Sequence, residues 1–264
     1  MKQYKKLAPS YNSRFPSYLQ VTTGKIAATA NIMPDDRVLD LGCGTGELLF
    51  TLAQKFPAAN EFVGIDLSEE MLKLAKSKLD AFKAVSLRSG NIEQIPYPDA
   101  SFDLIVSSGV LHYVRNPKTM MREALRVLKP RGRLLLIDMA QESLTTKISS
   151  MFRRIADPGA VQYFSLHSVS ALLGSQGFKI LSSELFSAGI FGLYLIEGEK
   201  MDGTITCPNC GKESHAPIPT DQCQYFYLCP NCQARLRPKM NDCCVFCSYG
   251  DRKCPTAHTS AESQ

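Results

Sequence analysis

The 264-residue chain has no apolar run near the ~20 residues that a membrane-spanning helix requires. The longest candidate, GIFGLYLI at 189–196, is too short, so no membrane insertion is expected. The opening residues, MKQYKKLAPSYNSRF, carry lysines but no apolar stretch behind them. That speaks against a secretory signal and makes the cytoplasm the expected compartment. An excess of one charge sign is also missing: 30 Lys and Arg against 25 Asp and Glu leave a net +5. From residue 200 onward seven basic residues face six acidic ones. With no polybasic arm, nothing in the charge points to a nucleic-acid partner. Neither an internal repeat nor a low-complexity segment is found. The 44% apolar content excludes disorder of the whole chain. At roughly 150 residues per domain, the length admits one full domain and a small one.

Cysteine is scarce where the chain is longest. Cys43 stands alone in the first 200 residues, and the other nine lie between Cys207 and Cys254. Clustered cysteines in a reducing compartment bind metal or do redox work more often than they form disulfides. The chain therefore divides into a body at 1–198, a cysteine-rich domain at 203–256 and a tail at 257–264.

The body alternates between strand and helix patterns. Strands are expected at 37–41, 61–66, 85–88, 102–107, 133–138, 179–186 and 191–197. Helices are expected at 47–56, after Ser68, and at 117–128, 145–155 and 167–175. Ser68 can cap the second of these, with Met71, Leu72, Leu74, Ala75 and Leu79 on its apolar face. Lys129-Pro130-Arg131-Gly132 reads as a stop after the third. Strands joined by such helices build a parallel sheet with right-handed crossovers. The expected fold is α/β: a doubly wound, Rossmann-like, mostly parallel seven-stranded sheet with a small zinc-ribbon-like domain behind it.

The first strand runs into Leu41-Gly42-Cys43-Gly44-Thr45-Gly46, a glycine-rich turn that lets backbone approach a ligand. Asp66 ends the next strand, 20 residues beyond Gly46, where a carboxylate can accept from both ribose hydroxyls. A dinucleotide is the first ligand to consider. Two details favour another: the glycines fit GxGxG, and Asp40 puts an acid where a pyrophosphate needs neutral or positive surroundings. An acid there suits an ammonium group.

This stretch resembles the class I S-adenosylmethionine-dependent methyltransferases. VGIDLSEEML is similar to that family's second motif, and GNIE followed by IPY to its adenine-binding third. SFDLIVSSGVLHYV and EALRVLKPRGRLLLID resemble its fourth strand and the entry to its fifth. YKKLAPSY, at 4–11, is similar to the N-terminal lid of the subgroup that includes quinone-ring methyltransferases. The resemblance covers roughly 1–198. It implies a methyltransferase with S-adenosylmethionine as cofactor, bound by Tyr11, Asp40, Gly42, Cys43, Gly44, Gly46, Asp66, Leu67, Met71, Asn91, Ile92 and Ser107. In it Asp40 and the glycine turn hold the methionine part and Asp66 the ribose. Leu67 and Ile92 sandwich the adenine, Asn91 bonds its amino group, and Ser107 lies near the sulfonium. Other roles stay open: Cys43 can simply pack, and Asn91 can simply cap a turn. His112 is either a catalytic base near the methyl group or a helix-start residue with a satisfied imidazole.

In the tail, Cys207-Pro-Asn-Cys210 and Cys229-Pro-Asn-Cys232 are two CxxC knuckles separated by 18 residues. That spacing fits an all-cysteine zinc site with no open position, hence a structural one. Cys223, Cys243, Cys244, Cys247 and Cys254 remain. They can form a second soft-metal site, a thiol redox pair, or extra thiols on a structural zinc module. The run from 206 to 255 resembles a family of small bacterial proteins, some of them selenoproteins, with a Gly-Asp-Cys-Cys-Val-x-Cys signature. Asn241 stands where that signature has glycine.

The expected activity is methyl transfer to a small molecule such as a quinone ring, a thiol or a soft metalloid. The alternatives are an RNA or protein acceptor delivered by the zinc module, and a non-catalytic cofactor-binding sensor of thiols or metal. The oligomeric state is not legible.

Overall fold

The computed structural model describes residues 8–143, 146–147, 159–218 and 223–254. Residues 4–7 of the expected lid, most of the helix expected at 145–155 and the tail at 257–264 lie outside the described residues.

A 3-10 turn, Ala8–Ser10, leads into α1 (Tyr11–Arg14) and α2 (Pro16–Thr29). Alternating elements follow: β1 (Arg37–Leu41), α3 (Glu47–Lys55), β2 (Glu61–Asp66), α4 (Glu69–Leu79), β3 (Val85–Ser89) and β4 (Phe102–Ser108). Then come α5 (Pro117–Val127), β5 (Leu128–Met139), α6 (Leu166–Gln176), β6 (Phe178–Ala188) and β7 (Phe191–Lys200). The helix starts are set by caps. Ser68 Oγ accepts from the Met71 amide at 3.3 Å, and Ser165 Oγ accepts from the Ser168 amide at 3.0 Å. Gly177, at φ +106°, closes α6 in the left-handed conformation that favours glycine.

The seven strands form one sheet in the order β3-β2-β1-β4-β5-β7-β6. Pairs from β3 to β5 are parallel, whereas β7 runs antiparallel to both β5 and β6. Apolar side chains fill both faces, as in a sheet covered on two sides. Leu39, Leu41, Ile65, Leu134 and Leu136 pack under Met120, Ala124, Val169 and Leu173 of α5 and α6. Val38, Phe62, Leu104, Leu135 and Ile137 pack under Ile26, Leu49, Leu52 and Ala75 of α2, α3 and α4. Each such fully buried Val, Leu, Ile, Phe or Met side chain contributes about 1.5–3 kcal/mol.

The stop expected at Lys129–Gly132 is instead an irregular strand entry. Leu128 pairs with Phe102 and the register then slips before Arg133 pairs with Leu104. Arg131 takes φ +61° within that bulge, and Pro130 has no N–H to give to a ladder. The last body strand runs to Lys200, two residues past the boundary expected at 198. Lys200 pairs with Phe178, and its Nζ donates to the Leu128 carbonyl at 2.8 Å.

The cysteine-rich module is built from two small hairpins and a short helix. β8 (Asp202–Thr206) pairs with β9 (Glu213–Pro217), and β10 (Tyr227–Leu228) with β11 (Arg235–Leu236). α7 spans Val245–Tyr249. Ile205, Leu236, Val245 and Phe246 form a core of its own. The module joins the body at the amino ends of the parallel strands. There the Met201 amide donates to the Gly177 carbonyl at 2.9 Å, and the Arg131 amide donates to the Asp202 carboxylate.

A chain ending at Lys200 retains all seven strands and is expected to fold and keep its cleft. Thermal unfolding and ligand calorimetry on that truncation check this. An insoluble or molten product would show that the module completes the body's core.

Candidate cofactor cleft and thiolate clusters

A cleft of about 690 Å³ opens at the carboxyl ends of β1, β2 and β4, the usual place for ligands in such sheets. Its floor is the glycine turn. Gly42 and Gly44 lie at φ +76° and +51°. A Cβ on Gly42 would stand 2.5 Å from Val110 Cγ2, whereas one on Gly44 would project into open space. The Gly42 and Cys43 amides both donate to the Ile65 carbonyl, at 2.8 and 3.0 Å, which ties the turn to β2.

Two acids face this turn. Asp66 accepts from the Gly44 amide through Oδ2 at 2.9 Å and from the Ser68 amide through Oδ1 at 2.8 Å. Burial holds its carboxyl above the usual carboxylate range, and the Ser68, Gly44 and Leu67 amides oppose that rise. With three amides on about four lone-pair sites, the carboxylate keeps room to accept from a ligand hydroxyl. Asp40 is 2% exposed, and its Oδ2 has no hydrogen-bond partner among the described residues. Burial first, and the charge of Asp66 second, push its carboxyl well above the usual range. An orphaned buried acceptor beside a second carboxylate is complementary to a cationic, hydrogen-bond-donating ligand. Burial likewise pushes the Cys43 thiol up, with Asp40 and Asp66 adding to it, so Cys43 packs as a neutral side chain.

The structure brings most of the expected residues to this wall: Tyr11, Asp40, Gly42, Cys43, Gly44, Asp66, Leu67, Met71, Asn91 and Ile92. Asn91 does cap a turn, since its Oδ1 accepts from the Glu93 amide at 2.9 Å, yet it also lines the cleft. Three expected residues are not brought there. Ser107 is fully buried and its Oγ donates to the Leu41 carbonyl at 3.0 Å, so Ser108 lines the cleft in its stead. Gly46 lies beneath the turn, where a Cβ would meet Leu79 Cδ1 at 2.8 Å; it lets α3 pack on α4. His112 is 3% exposed, with Nδ1 2.5 Å from Asp138 Oδ1. Its ring abuts Tyr113 at 3.9 Å, and its carbonyl accepts from the Val161 amide at 2.8 Å. His112 therefore buttresses two residues of the wall, Tyr113 and Val161, and does not itself line the cleft.

Several wall residues had no signal in the sequence. Asn12, next to Tyr11, accepts from Thr45 Oγ1 at 2.7 Å and donates to Glu47, which also pairs with Lys78. This latch fastens α1 to the glycine turn and to the start of α3. Tyr18, Thr22 and Thr23 of α2 and Tyr113 and Arg115 after β4 complete the mouth. The paired threonines, Thr22 and Thr23, were the one available clue.

The cysteines of the module gather into two clusters of four sulfurs, each within 4.8 Å of one another. In the first, Cys207 and Cys232 are 3.7 Å apart and Cys210 and Cys229 are 3.8 Å apart. A tetrahedron with metal–sulfur bonds of about 2.3 Å has edges of about 3.8 Å, so this set fits zinc. Each knuckle asparagine donates to a sulfur of the other knuckle: Asn209 to Cys232 and Asn231 to Cys210. The Lys212 amide and then Asn231 bring the Cys210 thiol down to about 6, while burial lifts Cys207 to about 11. The second cluster comprises Cys243, Cys244, Cys247 and Cys254. Asn241, just before it, sits at φ +74°, a left-handed position that glycine favours and asparagine tolerates.

Fold and cleft together define a Rossmann-like α/β protein that binds a nucleotide-type cofactor in an acidic, latched pocket. The chain belongs to the methyltransferase-domain family, whose match covers residues 32–181. It is 30% identical over 156 residues to the uncharacterized methyltransferase YcgJ of Bacillus subtilis, covering 58% of this chain and 60% of that one. It is 36% identical over 109 residues to the demethylmenaquinone methyltransferase of Lactococcus lactis, covering 40% and 43%. The chain spans from 32% to 60% of the length of these and another of the curated relatives it matches. Among solved structures, that of Bacillus subtilis YcgJ superposes with a TM-score of 0.60 at 23% identity, covering 70% of this chain and 100% of that one. A chain from the complex of the Haloferax volcanii Trm112 methyltransferase activator with a putative methyltransferase gives 0.64 at 18% identity, covering 72% and 92%. At these identities the structures show the fold. No helix among the described residues is long and apolar enough to cross a membrane.

Proposed function

We propose that the chain is an S-adenosylmethionine-dependent methyltransferase acting on a small acceptor, such as a quinone-like ring or a thiol. Asp40 Oδ2 carries the reading: an unpartnered buried carboxylate oxygen on the wall of a glycine-turn cleft. S-adenosylmethionine would supply a methyl group already activated on sulfur, together with an ammonium for Asp40 and ribose hydroxyls for Asp66. The chain's residues then need only bind, orient and exclude water. Leu67, Met71 and Ile92 offer apolar surface to an adenine, with Asn91 at its edge. Helix α1, latched through Asn12, covers the cleft.

The wall carries no histidine among its described residues, which favours an acceptor acidic enough to ionise by itself, such as a phenolic ring or a thiol. The named demethylmenaquinone relative is consistent with a ring acceptor. A soft metalloid fits less well. The cleft's own cysteine, Cys43, is buried with a raised pKa, and the module's thiols lie at the other end of the sheet. The ten residues of β7 put about 30 Å between the two ends. The same separation argues against delivery of RNA or protein by the module within one chain. The first cysteine cluster would hold zinc as a closed structural crosslink. A reducing cytoplasm is the setting inferred from eight cysteines gathered into two metal-type sets.

Calorimetry should detect S-adenosylmethionine binding to the wild type, and Asp66→Ala should weaken it at least about tenfold, the equivalent of ~1.4 kcal/mol. Binding of NAD in its place would overturn the assignment. Methyl transfer to a panel of quinols, thiols and RNA then separates the acceptor classes. Tight binding with no turnover on any acceptor would favour a sensor.

A further inference from the structure

We propose that the module holds a second metal ion, on Cys243, Cys244, Cys247 and Cys254, and that this site exchanges its ion far more readily than the first. The sulfur of Cys243 stands 3.4 Å from those of both Cys247 and Cys254. Cys247 lies 3.6 Å from Cys244 and 3.7 Å from Cys254. All four fall within 4.8 Å of one another. Four separate thiols converge on one point to nearly the edge length of a tetrathiolate site. A disulfide reading uses thiols in twos and gives no reason for four to meet.

The chain is folded to produce this convergence. Cys244 caps α7, and Cys247 lies one helical turn further on. Gly250 then lets the chain double back, since a Cβ there would stand 2.6 Å from the Phe246 carbonyl. The return is pinned by the Asp251 amide on the Thr204 carbonyl and by the Thr204 amide on Asp251 Oδ1, at 2.9 and 2.7 Å. Cys254 thereby reaches a set that begins eleven residues earlier.

The two clusters differ in how they face solvent. Cys244 and Cys254 are fully buried and Cys247 is half-buried, but Cys243 is exposed. The thiol of Cys223, itself exposed, hydrogen-bonds Cys243. Five thiols thus surround four positions at a solvent-facing vertex. Cys223 holds the departing Cys243 thiol off the ion while a ligand from solvent takes the open vertex, so the ion is passed on one sulfur at a time. Coordination is the only chemistry involved: each bound thiol releases its proton to solvent, and no electron moves. All-thiolate donors favour borderline and soft ions, so zinc is the resident expected and cadmium its tighter competitor.

None of the readouts below involves the cofactor cleft, so failure here leaves the methyltransferase reading untouched. Elemental analysis of the full-length protein, purified without added thiols under nitrogen, should find about two zinc equivalents. Cys254→Ser should retain one. Cys243→Ser, altered at the exposed rim, guards against a folding failure and should also retain one. A chromogenic chelator should release zinc in two phases of equal amplitude, and Cys223→Ser should slow the fast phase several-fold without changing stoichiometry. Cadmium titration should give thiolate charge-transfer absorbance for two sites. A single zinc equivalent unaffected by Cys254→Ser and Cys243→Ser overturns the site, as does a disulfide found among these four by mass spectrometry. One release phase, or a fast phase indifferent to Cys223→Ser, overturns the exchange route.

Discussion

Cys229→Ser should abolish zinc at the first cluster and unfold that part of the module while the body keeps its cofactor affinity. Cys229 is 1% exposed and sits opposite Cys210 at 3.8 Å. The module's apolar core is only a handful of side chains around Ile205, Leu236 and Phe246. A domain of this size rarely holds itself together without a staple. Structural zinc contributes on the order of 10–16 kcal/mol, more than such a core can replace. Limited proteolysis should therefore cut the variant between 207 and 232, with S-adenosylmethionine calorimetry unchanged. A variant that stays protease-resistant would show that the first cluster is not the staple.

Asp40→Asn should stabilise the ligand-free protein and cripple cofactor binding. Burial and the neighbouring Asp66 raise the folded-state pKa of Asp40. Above the unfolded value of about 3.9, the unfolded chain ionises freely while the folded chain must keep a proton or bury a charge. Its contribution to stability is thus most favourable at low pH and declines as pH rises from the unfolded value through the folded one. Asparagine keeps the shape and loses that penalty. A gain of about 1 kcal/mol would appear as a rise of roughly 2–4 °C in Tm at neutral pH, vanishing near pH 4. A charge-assisted hydrogen bond to the cofactor's ammonium is worth ~1.5–3 kcal/mol, so affinity should fall by about one to two orders of magnitude. Thermal unfolding across pH and calorimetry check both arms. An asparagine variant that is less stable at pH 7, or that binds equally well, would refute this account of the cleft.

The body's strands were legible because strands buried on both faces read as short apolar runs between turn residues. RVLDL, EFVGID and FDLIVS needed no partner to be recognised. Their order was less legible, since the placement of β7 between β5 and β6 depends on contacts distant in sequence. Site residues were lost through parity. Side chains alternate along a strand, so a one-residue difference decides between core and cleft. Ser107 turns inward to the Leu41 carbonyl while Ser108 lines the pocket. His112 follows β4 as expected, but Asp138, 26 residues away, holds its ring in the interior. The two CxxC knuckles announced their cluster through spacing. The second was legible only as five surplus thiols able to form a soft-metal site or a redox pair, because which four converge rests on a left-handed Asn241 and on the return of the chain at Gly250.

The insertion of β7 has a consequence for how the protein is made. β5 and β6 flank a gap that is filled only by Phe191–Lys200, the last strand of the body to leave the ribosome. Until then β5 presents an unpaired edge and the outermost strand β6 has no partner, and such edges are templates for intermolecular pairing. A chain interrupted anywhere between 189 and 200 is therefore an aggregation-prone species and not a smaller working enzyme. Nearly the whole body must be synthesised before its sheet can close.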